Sequence, residues 1–139
     1  MTKSLLYRLF RVGKIPDQLK PQIENEGILF QDEGIPGSIT YINFRSPRRY
    51  ASWRRVWYSG SITVTQSRFL ALAYSRPAIN VPFADPRFRS MAFSLTKAST
   101  LLIAFDASLF HSDWSGNVEY RYSTPQAQAI LDALKMRQA

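Results

Sequence analysis

Polar and apolar residues alternate in short runs through the middle of the chain, the pattern of half-buried β-strands. In residues 61–65 the apolar Ile62 and Val64 alternate with polar residues, residues 66–68 have turn composition, and residues 69–74 are almost wholly apolar. This stretch predicts two strands joined by a tight turn, with a further turn at residues 59–60 before it. Similar runs predict strands over residues 28–30, 38–44, 55–58, 79–83, 91–95, 100–105 and 118–122, with a turn at residues 35–37. Short connections favour antiparallel hairpins in a barrel or sandwich.

Helical patterns occur only at the two ends. Thr124 and Pro125 predict a helix start, with threonine as the N-cap and proline at the first helical position. The apolar stripe that follows has helical spacing and comprises Ala127, Ile130, Leu131 and Leu134. At the other end, helices are predicted over residues 2–12 and 16–25, although Pro21 fits the second one only within its first turn.

The residue types present exclude several kinds of chemistry. The chain of 139 residues has no cysteine and only one histidine, His111, so disulfides, thiolate metal sites and histidine-based zinc sites are not expected. His111 and Asp113 lie too close in sequence for the geometry of a catalytic triad, and Asp113 is predicted to shape a turn instead. No glycine-rich phosphate loop occurs. We therefore expect no enzymatic activity, catalytic residue, metal or cofactor.

The distribution of apolar residues bears on location. Arg8 and Arg11 interrupt the apolar residues near the N-terminus, which is unlike the apolar core of a signal peptide. No apolar run approaches the roughly 20 residues that span a bilayer. These features predict a cytoplasmic protein without a transmembrane segment.

The formal net charge of +8 is concentrated in the middle of the chain. Residues 17–33 contain five acidic residues and one lysine, whereas residues 34–84 contain seven arginines and no acidic residue. Such a bias favours anionic partners, namely lipid headgroups, nucleic acid or acidic protein surfaces.

A basic loop with aromatic residues is the candidate binding site. Arginine can hold a phosphate through two hydrogen bonds, and aromatic rings sit at lipid interfaces or stack on bases. The alternative is a solvated loop whose arginines pair with the acidic residues of 17–33. The candidate ligand-binding residues are Arg45, Arg48, Arg49, Tyr50, Trp53, Arg54 and Arg55.

Two segments resemble the pleckstrin-homology-like (PH-like) superfold, and bacterial PH and GRAM-like domains in particular. The run from Gly60 to Arg68 (GSITVTQSR) resembles the family's glycine, strand, threonine, turn and arginine hairpin, and residues 79–85 (INVPFAD) resemble its following strand and descending turn. The resemblance implies a bent sheet pair whose open end is plugged by the last helix. In lipid-binding PH domains a basic loop between early strands holds the headgroup, but their lysine and arginine spacing is not reproduced here.

Together these features predict a mainly β fold: a PH-like bent antiparallel β-barrel of about seven strands, capped by a C-terminal helix. Residues 1–25 are interpreted as a helical extension and residues 26–139 as the PH-like domain. The favoured function is a non-enzymatic interaction module that binds protein partners or self-associates. The alternative is peripheral binding of anionic lipids at the inner face of the membrane, with nucleic-acid binding a weaker third hypothesis.

Overall fold

Seven antiparallel β-strands form one sheet in the order β4-β3-β2-β1-β7-β6-β5. The computed structural model describes residues 14–97 and 99–139. The predicted mainly β class, with seven strands and a closing helix, is confirmed. The strands are β1 (Ile28–Arg45), β2 (Tyr50–Thr65), β3 (Arg68–Ala73), β4 (Arg76–Pro82), β5 (Ala92–Lys97), β6 (Thr100–Asp106) and β7 (Ser115–Ser123).

The sheet curves around a single main core, since buried residues from all seven strands belong to one hydrophobic cluster. Helix α2 (Ala127–Gln138) closes this core with Ile130 and Leu134, both fully buried, as its apolar stripe predicts. The predicted helix start is wrong by two residues, because the helix begins at Ala127 with Gln126 at the N-cap position. Thr124 lies before it, and its hydroxyl accepts a hydrogen bond from the backbone N–H of Gln126 at 3.2 Å. Short 3₁₀ turns occur at Asp17–Leu19, Pro86–Ser90 and Ala107–Leu109.

A second, smaller cluster lies on the outer side of β3. Helix α1 (Lys20–Glu26) contains Pro21 in its first turn, where proline costs no hydrogen bond, so the helix predicted over residues 16–25 forms. Its Ile23 packs with Ile15 against Leu70 and Leu72 of β3. The helix predicted over residues 2–12 lies outside the described residues.

Glu26 fastens α1 to the β2–β3 turn. Its carboxylate accepts hydrogen bonds from the Thr65 hydroxyl at 2.9 Å and from Arg68 Nε at 3.1 Å. Burial alone would raise the pKa of Glu26, but these hydrogen bonds and the Arg68 charge outweigh it and lower the pKa. The carboxylate is therefore a stabilising contact in its charged form.

Two predicted turns are wrong, because β1 and β2 each run without interruption. At residues 35–37, Gly34 adopts a φ of 70° and the register shifts between Glu33 and Ile35, so the chain forms a bulge and continues as a strand. The pairing of β1 with β7 begins at Gly37, one residue after Pro36. Because proline has no N–H, its place before this pairing begins costs no hydrogen bond between β1 and β7. At residues 59–60, Gly60 serves close strand packing, since a Cβ there would overlap the carbonyl oxygen of Leu72.

A second bulge bends β1 near its end. Asn43 adopts a φ of 48°, and the register with β7 shifts between Ile42 and Arg45. Gly116 has a φ of 95° and lies so close that a Cβ would overlap the carbonyl oxygen of Asn43. Residues three apart on a regular strand point to opposite faces, but here Tyr41 and Phe44 contact each other, with ring centroids 4.8 Å apart.

Candidate binding site on the β1–β2 hairpin

The far half of the β1–β2 hairpin, residues 41–57, extends beyond the end of β3; we call it the arm. Strand β3 pairs with β2 only from Gly60 to Val64, so residues 50–58 of β2 have no second neighbouring strand within the described residues. Ser46 and Arg49 exchange backbone hydrogen bonds of 2.8 and 3.4 Å, which leaves a loop of Pro47 and Arg48 alone. The predicted basic loop is therefore mostly strand, because cross-strand pairing continues to Arg45 and Tyr50.

The arm carries the three most exposed aromatic side chains of the described residues. The exposed fractions are 62% for Tyr50, 59% for Trp53 and 68% for Trp57. Tryptophan is highly buried on average in folded proteins, so two exposed tryptophans on one strand are informative. Their exposure makes this part of the arm a candidate contact surface.

Trp53, Arg55 and Trp57 form a row on one face of β2, which we call the outer ladder. The guanidinium of Arg55 lies over both indole rings, 5.1 Å from the Trp53 centroid and 5.7 Å from that of Trp57. Its Nε donates a hydrogen bond of 2.8 Å to the Thr40 hydroxyl of β1. The guanidinium is thus held between the two rings by a contact to the neighbouring strand.

A cleft of about 880 Å³ lies on the arm toward the turn that precedes β7; we call it the arm cleft. The end of the hairpin supplies arginines to one side of the cleft. The opposite side is formed by a turn in which the Trp114 N–H donates a hydrogen bond of 3.0 Å to the His111 carbonyl. The lining residues are Tyr41, Phe44, Ser46, Pro47, Arg48, Arg49, Tyr50, Ala51, Arg54, Asp113 and Trp114.

Interlocking aromatic rings hold the cleft in shape. Phe44 is only 4% exposed and makes edge contacts with Tyr41 at 4.8 Å and with Trp114 at 5.3 Å. Trp114 is stacked on His111 with centroids 3.6 Å apart. These rings join the cluster that contains buried Val118 of β7, so the aromatic side of the cleft is built on the sheet.

The structure divides the predicted site residues between these two places. Arg48, Arg49, Tyr50 and Arg54 line the arm cleft, whereas Trp53 and Arg55 belong to the outer ladder. Arg45 is in neither group, and its guanidinium lies 5.1 Å from the Tyr50 ring centroid.

The predicted alternative, in which these arginines pair with acidic residues of 17–33, is not what the described residues show. Glu26 pairs with Arg68 and Asp17 with Lys20, and no ion pair involves an arm arginine within residues 14–97 and 99–139. The arm therefore presents its positive charge to solvent.

Several residues of these surfaces are absent from the sequence prediction. Trp57 could have been found, because Trp53, Arg55 and Trp57 alternate with the period of a strand. Tyr41 lies opposite Arg54 and so on the cleft face, whereas Phe44 joins it through the bulge at Asn43. Asp113 and Trp114 are remote in sequence, and no local pattern signals their approach.

The described residues include no arrangement typical of a metal site or a catalytic triad. His111 stacks on Trp114, and no three histidine, aspartate or glutamate side chains within residues 14–97 and 99–139 could share a metal ion. Burial raises the pKa of Tyr58, Tyr120 and Tyr122. These phenols stay neutral, and Tyr122 donates a hydrogen bond of 3.2 Å to the Leu72 carbonyl inside the core.

Comparisons with known proteins give no family for this chain. No protein-family model matches the sequence, and no curated protein matches it significantly. Among the helices of the described residues, none has the length and apolar character to cross a bilayer.

Proposed function

We propose that this protein is a non-enzymatic interaction module of the PH-like type, and that its outer ladder binds the acidic surface of a partner protein. The observation that carries the proposal is the row of Trp53, Arg55 and Trp57, in which both tryptophans are exposed and flank the half-buried arginine. Tryptophan and arginine are the side chains most enriched where protein interfaces gain their binding energy. Residues 34–84 contain no acidic residue, so the chemistry of the arm selects a negatively charged partner.

The ladder is ordered before any partner arrives. Arg55 is anchored to Thr40 at 2.8 Å, and the same hydroxyl accepts a hydrogen bond of 3.2 Å from Arg121 of β7. Arg121 also pairs with Glu119 at 3.0 Å. Side chains that are already held lose less conformational entropy on binding, which leaves more of the contact energy for affinity.

The charge of the arm disfavours a second copy of this chain as the partner on this face. A twofold-symmetric contact would bring the same patch of each copy together, Arg55 toward Arg55. Like charges at an interface oppose association, whereas an acidic surface complements them. An acidic protein is therefore favoured over self-association.

The PH-like assignment is supported by the arrangement of the elements. A curved antiparallel sheet is followed directly by a helix whose Ile130 and Leu134 enter the core. The resemblance implies a bent sheet pair plugged by the last helix, and a curved sheet closed by a helix is compatible with it. The superfold hosts many unrelated binding roles.

The test is a titration of the full chain with labelled acidic peptides, followed by fluorescence anisotropy. A panel of short peptides combines glutamate and leucine in different orders, and matched peptides carry lysine in place of glutamate. We expect the acidic peptides to bind, and the double variant Trp53→Ser, Trp57→Ser to weaken binding by roughly tenfold or more, about 1.4 kcal/mol. Met136→Ser is the matched control, because Met136 is 75% exposed on α2 at a distance in sequence from the arm.

Three results would overturn the proposal. One is the absence of binding by every acidic peptide at physiological salt. Another is an equal effect of the tryptophan and Met136 variants, since the ladder would then have no special role. The third is equal affinity for the lysine peptides, which would contradict the selection for negative charge.

A second candidate, attachment to anionic membranes, is favoured by the exposed hairpin end, where Arg48, Arg49 and Tyr50 are adjacent. Basic clusters attract anionic lipids, and tyrosine suits the interfacial region. Sedimentation with phosphatidylserine vesicles separates the two functions. Membrane attachment predicts loss of vesicle binding in the triple variant Arg48→Ala, Arg49→Ala, Arg54→Ala, with little effect of the tryptophan substitutions.

A further inference from the structure

We infer that the arm cleft binds a small aromatic phosphomonoester, with the ring against Tyr41, Phe44 and Trp114 and the phosphate among Arg48, Arg49 and Arg54. This site goes beyond the proposed function, since its residues are separate from the outer ladder. Either binding activity could be present without the other.

The size and lining of the cleft suit a small molecule. Ligand sites typically have volumes of roughly 300–1,000 Å³ and combine aromatic walls with a few polar groups. The arm cleft, with about 880 Å³, falls in this range. Phe44 is fixed by its neighbouring rings, so the aromatic wall exists before a ligand enters.

The charges around the cleft specify a dianion. Arg48, Arg49 and Arg54 contribute three positive charges, Asp113 contributes one negative charge, and the balance is +2. A phosphomonoester carries about −1.5 to −2 near neutral pH, which neutralises this excess. Within the described part of the chain, none of the three guanidiniums takes part in an ion pair, so no internal contact has to be broken.

The aromatic wall distinguishes this ligand from a bare phosphate. Free phosphate would satisfy the arginines but make no use of the Tyr41 and Trp114 surfaces that line the cleft, whereas a flat ring gains stacking and apolar burial there. Asp113 repels ligands with additional negative charge and can accept a hydrogen bond from a donor on the ring. The expected ligand is therefore a ring with one phosphate group.

The test uses Trp114 as its own reporter. The chain has three tryptophans, and the substitutions Trp53→Phe and Trp57→Phe remove the two that lie outside the cleft. In this background we expect phenyl phosphate to change Trp114 fluorescence saturably at near-neutral pH. Inorganic phosphate should bind roughly tenfold more weakly, and phenol should give no saturable change at the same concentrations.

Arg54→Gln and Arg55→Gln form the matched pair of variants. They are neighbours on β2, but Arg54 lines the cleft and Arg55 belongs to the outer ladder. We expect Arg54→Gln to weaken phenyl phosphate binding by roughly tenfold and Arg55→Gln by less than about twofold. The exposed position of Arg54 keeps this substitution from threatening the fold.

Three outcomes would overturn the inference: no saturable response to phenyl phosphate, equal affinity for inorganic phosphate, or equal effects of Arg54→Gln and Arg55→Gln. Each of these is independent of the acidic peptide titration. Failure of the outer ladder to bind peptides would leave the cleft measurement unchanged.

Discussion

The two halves of strand β2 both pair with β1, but they differ in burial and in their other neighbours. In the first half, residues 50–57, no residue is buried, whereas in the second half, residues 58–65, every residue is buried. We call residues 58–65 the base. The base has β3 beside it, the main core on one face, and α1 fastened at its end through Thr65. The arm half has only β1 beside it in the described part of the chain.

The difference shows that strand pairing and burial are separate contributions. Pairing with β1 satisfies backbone hydrogen bonds in both halves, but only the base gains the free energy of apolar burial. Stability is therefore concentrated at one end of the strand, and exposed aromatic and cationic side chains at the other. Substitutions in the base should mainly lower stability, whereas substitutions in the arm half should mainly weaken binding.

The largest expected effect comes from truncation of a buried base residue. Ile62 is fully buried in the main core, so Ile62→Ala should lower the free energy of unfolding by about 3–4 kcal/mol. Trp57→Ala, on the same strand but 68% exposed, should lower it by less than about 1 kcal/mol despite the larger side chain removed. Urea unfolding of both variants measures this, and similar losses would contradict the division of β2.

A smaller loss of stability is expected from a substitution at Gly60, where the base approaches β3 closely. Gly60→Ala introduces a Cβ that overlaps the Leu72 carbonyl, a backbone atom that can move only with its strand. We expect a loss of about 2 kcal/mol by urea unfolding. Ser52→Ala, in the exposed half of β2, is the control and should change stability by no more than about 0.5 kcal/mol. Normal stability of Gly60→Ala would show that β3 is not tightly fitted against the base.

The smallest expected change in the free energy of unfolding comes from the loss of the Glu26 carboxylate, and it should depend on pH. The pKa of Glu26 is lowered from its ordinary value of 4.5, so its contacts with Thr65 and Arg68 stabilise the fold above that pH and are lost as the pH falls through the folded-state pKa. Glu26→Gln should cost about 1 kcal/mol near neutral pH, and the difference from the wild type should shrink below about pH 4.5. Urea unfolding across this pH range tests the sign, and a constant difference would assign the loss to packing alone.

The sequence predicts those parts of the fold that depend on local patterns. The β2–β3 turn, the final helix and its buried Ile130 and Leu134 follow from alternation and helical spacing. The continuity of β1 and β2 does not, because glycine indicates a turn, a bulge or a close approach equally well. Gly34 makes a bulge and Gly60 makes a close approach, and both depend on the neighbouring strand.

The sequence indicates the composition of the arm surfaces but not their arrangement. The arginines and aromatics of residues 45–55 are evident from the chain, yet their division between two faces appears only once the hairpin is known to pair as far as Arg45 and Tyr50. Asp113 and Trp114 reach the cleft only through the pairing of β7 with β1. Such long-range pairing has no signature in a single sequence.

The uniform register of the β1–β2 hairpin allows the arm to change in length. From Ile35 opposite Gly60 to Arg45 opposite Tyr50, the β1–β2 pairing keeps one register to the end of the hairpin. Matched insertions, one residue on each strand near Pro47 and Arg48, would lengthen the hairpin without disturbing the pairs below them. Related chains could therefore differ in the length and composition of the arm, by one residue on each strand at a time, while the sheet and its core stay the same.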